Sequence, residues 1–171
     1  FELLANSADP PKDVSAERVS EASAPLEQLW ETSTIHEVIN SGGFDIVVLQ
    51  ETLQFTSSWK ESKSVDSFLE FAHAFNDEIN SAGAETMLFM AWPLDQSGLI
   101  PATNEENELA HGEVAQELDL LVAPVALAMQ KTIKESPAID LYADEIHPSI
   151  YGTYLDAAVV FATIFDESPI G

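Results

Sequence analysis

The chain has 171 residues, six Lys+Arg against thirty Asp+Glu, and a formal charge of −24. Apolar residues at 46% and aromatics at 9% suffice for one folded domain and exclude general disorder, and no apolar run is long enough to span a bilayer. The absence of Cys excludes disulfides, thiolate metal sites and a cysteine nucleophile, and so negative a surface repels nucleic acid and anionic lipid. The acids are spread along the chain and Lys occurs at only five positions. That pattern fits an ordinary acidic surface or, as the sharper expectation, adaptation to high salt, where screening relieves self-repulsion.

In chain order, residues 1–7 read as the end of a helix stopped before Pro10 and Pro11. Residues 14–20 are a strand candidate. Pro25 opens a helix to about Asn40, ended by Gly42 and Gly43. Residues 45–50, Asp-Ile-Val-Val-Leu-Gln, form the β-branched run expected of a strand buried on both faces. A Thr- and Ser-rich loop covers 52–62. Val65, Phe68, Leu69, Ala72, Phe75 and Ile79 then recur at helical spacing until Gly83.

Residues 86–92 predict a strand, 93–103 a loop and 104–118 an acidic helix. Residues 120–123 predict another strand, with Pro124 in the first turn of the helix that follows. Residues 136–148 are irregular. Residues 150–165 form a closing helix with Tyr154, Leu155, Ala158, Phe161, Ala162 and Phe165 inward. Alternating strands and helices of this kind predict a single α/β domain over 1–171, with a parallel sheet covered on both sides. Active residues in such sheets lie on loops after the carboxyl ends of the strands.

Four histidines are present. His36, His73 and His111 fall inside helices and read as structural or surface residues. His147 falls in a loop, three residues after Asp144 and just before Pro148. An Asp so placed can accept the imidazole Nδ1–H, fix the tautomer and leave Nε2 as a general base. The bland alternative is a loop Asp that caps the last helix beside an incidental His. Asp144, Glu145 and His147 also offer metal donors, but no His-x-x-x-His pair or calcium-loop pattern accompanies them. The seven glycines form no phosphate or dinucleotide loop, so no cofactor is expected. A Gly-x-Ser-x-Gly elbow is absent as well, which leaves a base and its orienter with no nucleophile in view.

The stretch Leu141-Tyr-Ala-Asp144-Glu-Ile-His147-Pro148-Ser149-Ile-Tyr-Gly152-Thr-Tyr154-Leu155 resembles the closing block of SGNH (GDSL-type) hydrolases. Phe44-Asp45-Ile-Val-Val-Leu-Gln50-Glu51 is similar to the third-strand block of a branch in which Leu-Gln-Glu follows the strand. The segments from Gly83 to Pro93 and from Val122 to Val125 fit its later strands. The likeness runs in order over most of the chain. It implies a three-layer α/β/α fold with a flavodoxin-like parallel sheet, and Ser-His-Asp hydrolysis of acyl esters on sugars or lipids. On this likeness Asp144 is the orienting acid, His147 the base and Gln50 an oxyanion donor, unless Gln50 merely ends its strand on a neighbouring backbone group.

Two departures accompany the resemblance. The family's Gly-Asp-Ser or Gly-Asn-Ser block does not occur in residues 1–171, so the nucleophile and the first, central strand are expected upstream of residue 1. Where the family has a Gly after the second strand, this chain has Ser20-Glu-Ala22-Ser23, leaving a backbone N–H of Ala22 or Ser23 to substitute. A missing central strand would orphan buried polar groups at about 1–3 kcal/mol each. A segment upstream or a strand from another chain is therefore expected to fill the gap. Three readings follow: an SGNH-type esterase acting on a small-molecule or glycan ester, a catalytically silent hydrolase-like assembly module, and a carbohydrate-binding domain using Trp59, Trp92 and Tyr151.

Overall fold

The computed structural model describes residues 1–21, 24–51, 54–55, 64–92, 100–101, 103–144 and 146–169. Its elements are α1 (Glu2–Asn6), α2 (Leu26–Trp30), α3 (Ser33–Ser41), β1 (Ile46–Gln50), β2 (Gln54–Phe55) and α4 (Ser64–Ser81). There follow β3 (Glu85–Phe89), β4 (Ile100–Pro101), α5 (Asn104–Leu118), β5 (Leu121–Ala123), α6 (Val125–Glu135) and α7 (Ile150–Phe165). The chain divides into two compact units, one of Val19–Val122 and one of Phe1–Arg18 with Ala123–Gly171.

The 19–122 unit is built on a sheet of order β1-β3-β5, in which the first two residues of β5 belong to this unit. β1 and β3 run parallel, with Ile46 opposite Glu85 and Gln50 opposite Phe89. The long helix α4 turns Phe68, Ala72, Phe75 and Ile79 inward at full burial, the face its sequence spacing specifies. They pack in one cluster with Leu26, Ile39, Leu49, Leu88 and Val114. Each fully buried side chain of this size stabilises the unit by about 1.5–3 kcal/mol. Gly83 ends α4 with φ +88 and turns the chain into β3. Helix α5 starts with a capping box: the Thr103 side chain accepts the Glu106 N–H, and the Glu106 carboxylate accepts the Thr103 N–H at 2.8 Å.

In the second unit α7 packs against α6 and α1. Val125, Ala126 and Met129 of α6 are buried, as are Ala158, Val160 and Phe161 of α7. Lys12 pairs with Glu167 at 2.6 Å and lies over the Phe165 ring at 5.1 Å, and Phe1 stacks with Phe165 at a centroid distance of 6.5 Å. Among the described residues, no helix is long and apolar enough to cross a membrane.

Several expectations need correction. No strand forms over 14–20, because Val14 is held instead by Asn6, whose side-chain amide donates to the Val14 carbonyl and whose oxygen accepts the Val14 N–H, both at 2.7 Å. The helix expected from Pro25 to Asn40 is two helices. Thr32, extended at φ −98 and ψ 103, separates α2 from α3, as suits a β-branched residue of low helix propensity. β1 is not buried on both faces: Val48 is 43% exposed. Among the described residues β1 is an edge strand, and no strand pairs with its outer side. Tyr154 points outward at 59% exposure, whereas Ala158 and Phe161 are buried as expected. The loop readings over 52–62 and 93–103 fall mostly outside the described residues, save that β2 and β4 pair antiparallel.

Candidate active site

The segment 141–149 is a loop closed on itself. The Ala143 N–H donates to the His147 carbonyl and the Ser149 N–H to the Leu141 carbonyl, each at 2.8 Å, with Tyr142 and Pro148 bridged antiparallel between them. Both bonds use N–H groups flanking the bridged pair, so the missing N–H of Pro148 leaves no gap. Ser149 then caps α7: its hydroxyl accepts from the N–H groups of Tyr151 and Gly152 and donates to the Asp140 carbonyl at 2.6 Å.

Asp144 sits at the loop tip and uses its two oxygens differently. Oδ1 accepts the backbone N–H groups of His147 at 2.7 Å and Ile146 at 2.9 Å, an Asx-type brace of the turn. Oδ2 accepts from His147 Nδ1 at 2.8 Å. An ionised carboxylate can only accept, so Nδ1 carries the proton and Nε2 keeps a free lone pair. The His147 N–H, then the Ile146 N–H, then the His147 ring hold the Asp144 carboxyl down at about 2. Its charge is therefore permanent at ordinary pH. Both side chains are exposed, His147 at 69% and Asp144 at 56%, so the ring can meet a second group. Asp144 therefore braces the turn and orients the imidazole, while the cap of α7 that the sequence offered to this Asp is made by Ser149.

Gln50 and Trp92 belong to the 19–122 unit. Gln50 ends β1 and is exposed, opposite Phe89 at the carboxyl end of the parallel pair. Trp92 is half-buried three residues beyond β3. Its approach is fixed by Asn107, buried at 3% exposure on α5, whose side-chain amide donates to the Ala91 carbonyl at 2.7 Å. Ala22, Ser23, Trp59 and Glu145 lie outside the described residues. Tyr151, on the first turn of α7, is 63% exposed.

Sequence reasoning passed over Asn107, for which no local signal exists, and Glu51, a buried carboxylate that accepts the Leu26 N–H at 3.0 Å. The other histidines are held within helices. His36 bonds Glu78 through Nδ1 at 2.7 Å and the Trp30 carbonyl through Nε2 at 2.6 Å, and His73 bonds Glu117 at 2.9 Å. His111 is 1% exposed and donates from Nδ1 to the Asn107 carbonyl, and burial pushes it down to about 4. Among the described residues, no group of three or more His, Asp or Glu side chains is arranged to hold a metal ion.

No protein-family profile matches the chain, and no curated protein sequence matches it. Solved structures do. A protein assigned as an SGNH hydrolase from Slackia heliotrinireducens superposes with a TM-score of 0.60 at 22% identity, covering 82% of this chain and 79% of that one. An acetyl-xylooligosaccharide esterase from Geobacillus gives 0.68 at 16% identity over 96% of this chain and 78% of its own. A protein assigned as a GDSL-like lipase from Parabacteroides merdae gives 0.57 at 14% identity, covering 82% and 68%. At these identities the likeness shows the fold: the chain has the three-layer α/β/α hydrolase fold of SGNH and GDSL-type proteins, as the sequence resemblance implied.

Proposed function

We propose that the chain is the greater part of a single SGNH-type serine esterase domain. In this reading His147 Nε2 is the general base, Asp144 orients it, and the Gln50 side-chain amide stabilises the oxyanion. Ala22 contributes a backbone N–H and Trp92 lines the substrate side. The nucleophile is a Ser on a strand upstream of residue 1, which adds to the open outer edge of β1. The substrate is an acyl ester on a small molecule or glycan. The observation that carries the reading is the 2.8 Å bond from His147 Nδ1 to Asp144 Oδ2, on an exposed loop that leaves Nε2 free. A loop whose only task was to cap α7 would need Ser149 and not the imidazole.

The test is hydrolysis of p-nitrophenyl acetate by the full-length protein at high salt. His147→Ala should lower kcat by about 10²–10⁴-fold. Equal rates in the two proteins would remove His147 from the chemistry. The second reading, an assembly module without turnover that takes a strand from another chain, is favoured by the exposed Val48 on the open edge of β1. A fluorophosphonate probe separates the two: covalent labelling of a serine in the native protein supports the esterase, and labelling of none supports the module.

A further inference from the structure

Glu51 directly follows Gln50, yet the two residues face opposite ways: Gln50 is exposed and Glu51 is 6% exposed. Alternation along an extended chain requires this, so whatever fixes Glu51 inward also fixes Gln50 outward. The Glu51 Oε2 accepts the backbone N–H of Leu26 at 3.0 Å, across 25 residues of chain. That N–H opens α2, where Pro25 sits extended at φ −70 and ψ 165 and supplies no side-chain cap. Leu26 is 1% exposed, so its N–H needs a protein partner, and Glu51 supplies it. In a chain with thirty acids and ample surface for them, burial of this carboxylate calls for a reason.

We propose that Glu51 is a positioning residue for Gln50: it ties the peptide after β1 to the first turn of α2 and so holds the Gln50 amide at a fixed aim. The inference rests on the reading of Gln50 as the oxyanion donor, and it assigns a specific task to a buried acid. Gln at position 51 keeps a carbonyl acceptor of the same reach. Asp, one methylene shorter, does not reach the Leu26 N–H, and Ala removes the acceptor outright.

The experiment compares Glu51→Ala, Glu51→Gln, Gln50→Ala and the double variant Gln50→Ala/Glu51→Ala in the full-length protein. With p-nitrophenyl acetate, Glu51→Ala should lower kcat by about 10–100-fold, a large part of an oxyanion donor's effect, with KM little changed. Glu51→Gln should recover most of that loss. On the Gln50→Ala background the second substitution should have no further effect, because residues acting through one another are not additive. An equal loss with and without Gln50 would overturn the proposal, since a merely structural role predicts that. Glu51→Asp replaces Glu51→Ala if the latter does not fold. Backbone hydrogen exchange needs no turnover: Leu26 protection should fall in Glu51→Ala and persist in Glu51→Gln, and unchanged protection in Glu51→Ala would refute the tie. If the wild-type protein hydrolyses no ester, the esterase reading fails by itself, and the exchange result still decides whether Glu51 holds this strand end.

Discussion

Gly152, in the first turn of α7, lies against the loop that carries Asp144 and His147. A Cβ at this position would stand 2.3 Å from the Leu141 carbonyl oxygen and 2.9 Å from the Pro148 Cβ. An ordinary carbon–oxygen contact is about 3.3 Å or longer, so Gly152→Ala asks for a retreat of about 1 Å. The obstacle is backbone and cannot rotate away. The same carbonyl accepts the Ser149 N–H at 2.8 Å, and a 1 Å retreat takes that bond out of range. Overpacking costs about 1–3 kcal/mol and the lost bond about 1 kcal/mol, against a gain of about 0.5–1 kcal/mol for Ala over Gly in a helix. The net is a destabilisation of about 1–3.5 kcal/mol. Gly112 in α5 supplies the internal control, because a Cβ there meets nothing within 4 Å. Gly112→Ala should therefore stabilise by about 0.5–1 kcal/mol. Urea denaturation of both variants at one pH and salt concentration measures the pair. Equal shifts of the same sign would refute the close-approach argument, since both substitutions add the same methyl group to a helix.

Two further predictions concern pH. Burial pushes the Asp156 carboxyl up from 3.8 to about 6, and among the described residues its Oδ1 has no hydrogen-bond partner. The folded chain thus binds this proton more tightly than the unfolded one, and stability should fall as pH rises from about 4 to about 6. The shift corresponds to roughly 3 kcal/mol unscreened and to about 1–2 kcal/mol at a half-exposed site, so Asp156→Asn should gain that amount at neutral pH and lose the slope. A variant no more stable than wild type at neutral pH would refute the assignment. His36 behaves in the opposite sense. The Trp30 carbonyl on Nε2 raises its pKa above 6.5, burial opposes this, and the Glu78 carboxylate on Nδ1 raises it further. Stability from this imidazolium is complete below pH 6.5 and is lost as pH climbs through the raised folded value. His36→Ala should be less stable than wild type by a margin that is largest at mildly acidic pH and narrows at alkaline pH to the loss of ring packing on Trp30 and Phe75, as read from denaturation midpoints; parallel curves would show that His36 does not titrate as a clamp.

The elements readable from the sequence are those whose signals are local. The bounds of α5 and α7 agree with those expected from the sequence, and in the structure Thr103 and Ser149 cap their starts while Asp119 and Asp166, at φ +56 and +51, close their ends in left-handed geometry. The inward face of α4 followed from spacing alone. Where the reading failed, a distant contact decided. The break between α2 and α3 frees the Trp30 carbonyl for His36, six residues on, while Glu78 from α4 holds the other ring nitrogen. Val48 has the composition of an interior strand, but its exposure depends on which strand neighbours it, and nothing in Asp-Ile-Val-Val-Leu-Gln states that.

The same division runs through the candidate site and decides how it must be tested. Asp144 and His147 are three residues apart in a loop that closes on its own backbone, so spacing and Pro148 sufficed to find them. The proposed oxyanion donor is placed otherwise. Gln50 is exposed beside a buried Glu51 that accepts an N–H 25 residues away, a relation invisible among thirty acids. A substitution in the 141–149 loop should therefore act on the base alone, and its effect can be judged from local geometry. A substitution at Glu51 acts through the packing of α2 and must be judged on the Gln50→Ala background, because only there does loss of aim separate from loss of fold. The Asp144–His147 pair is thus a property of a self-closed loop, whereas the placement of Gln50 beside the buried Glu51 is a property of a packed core.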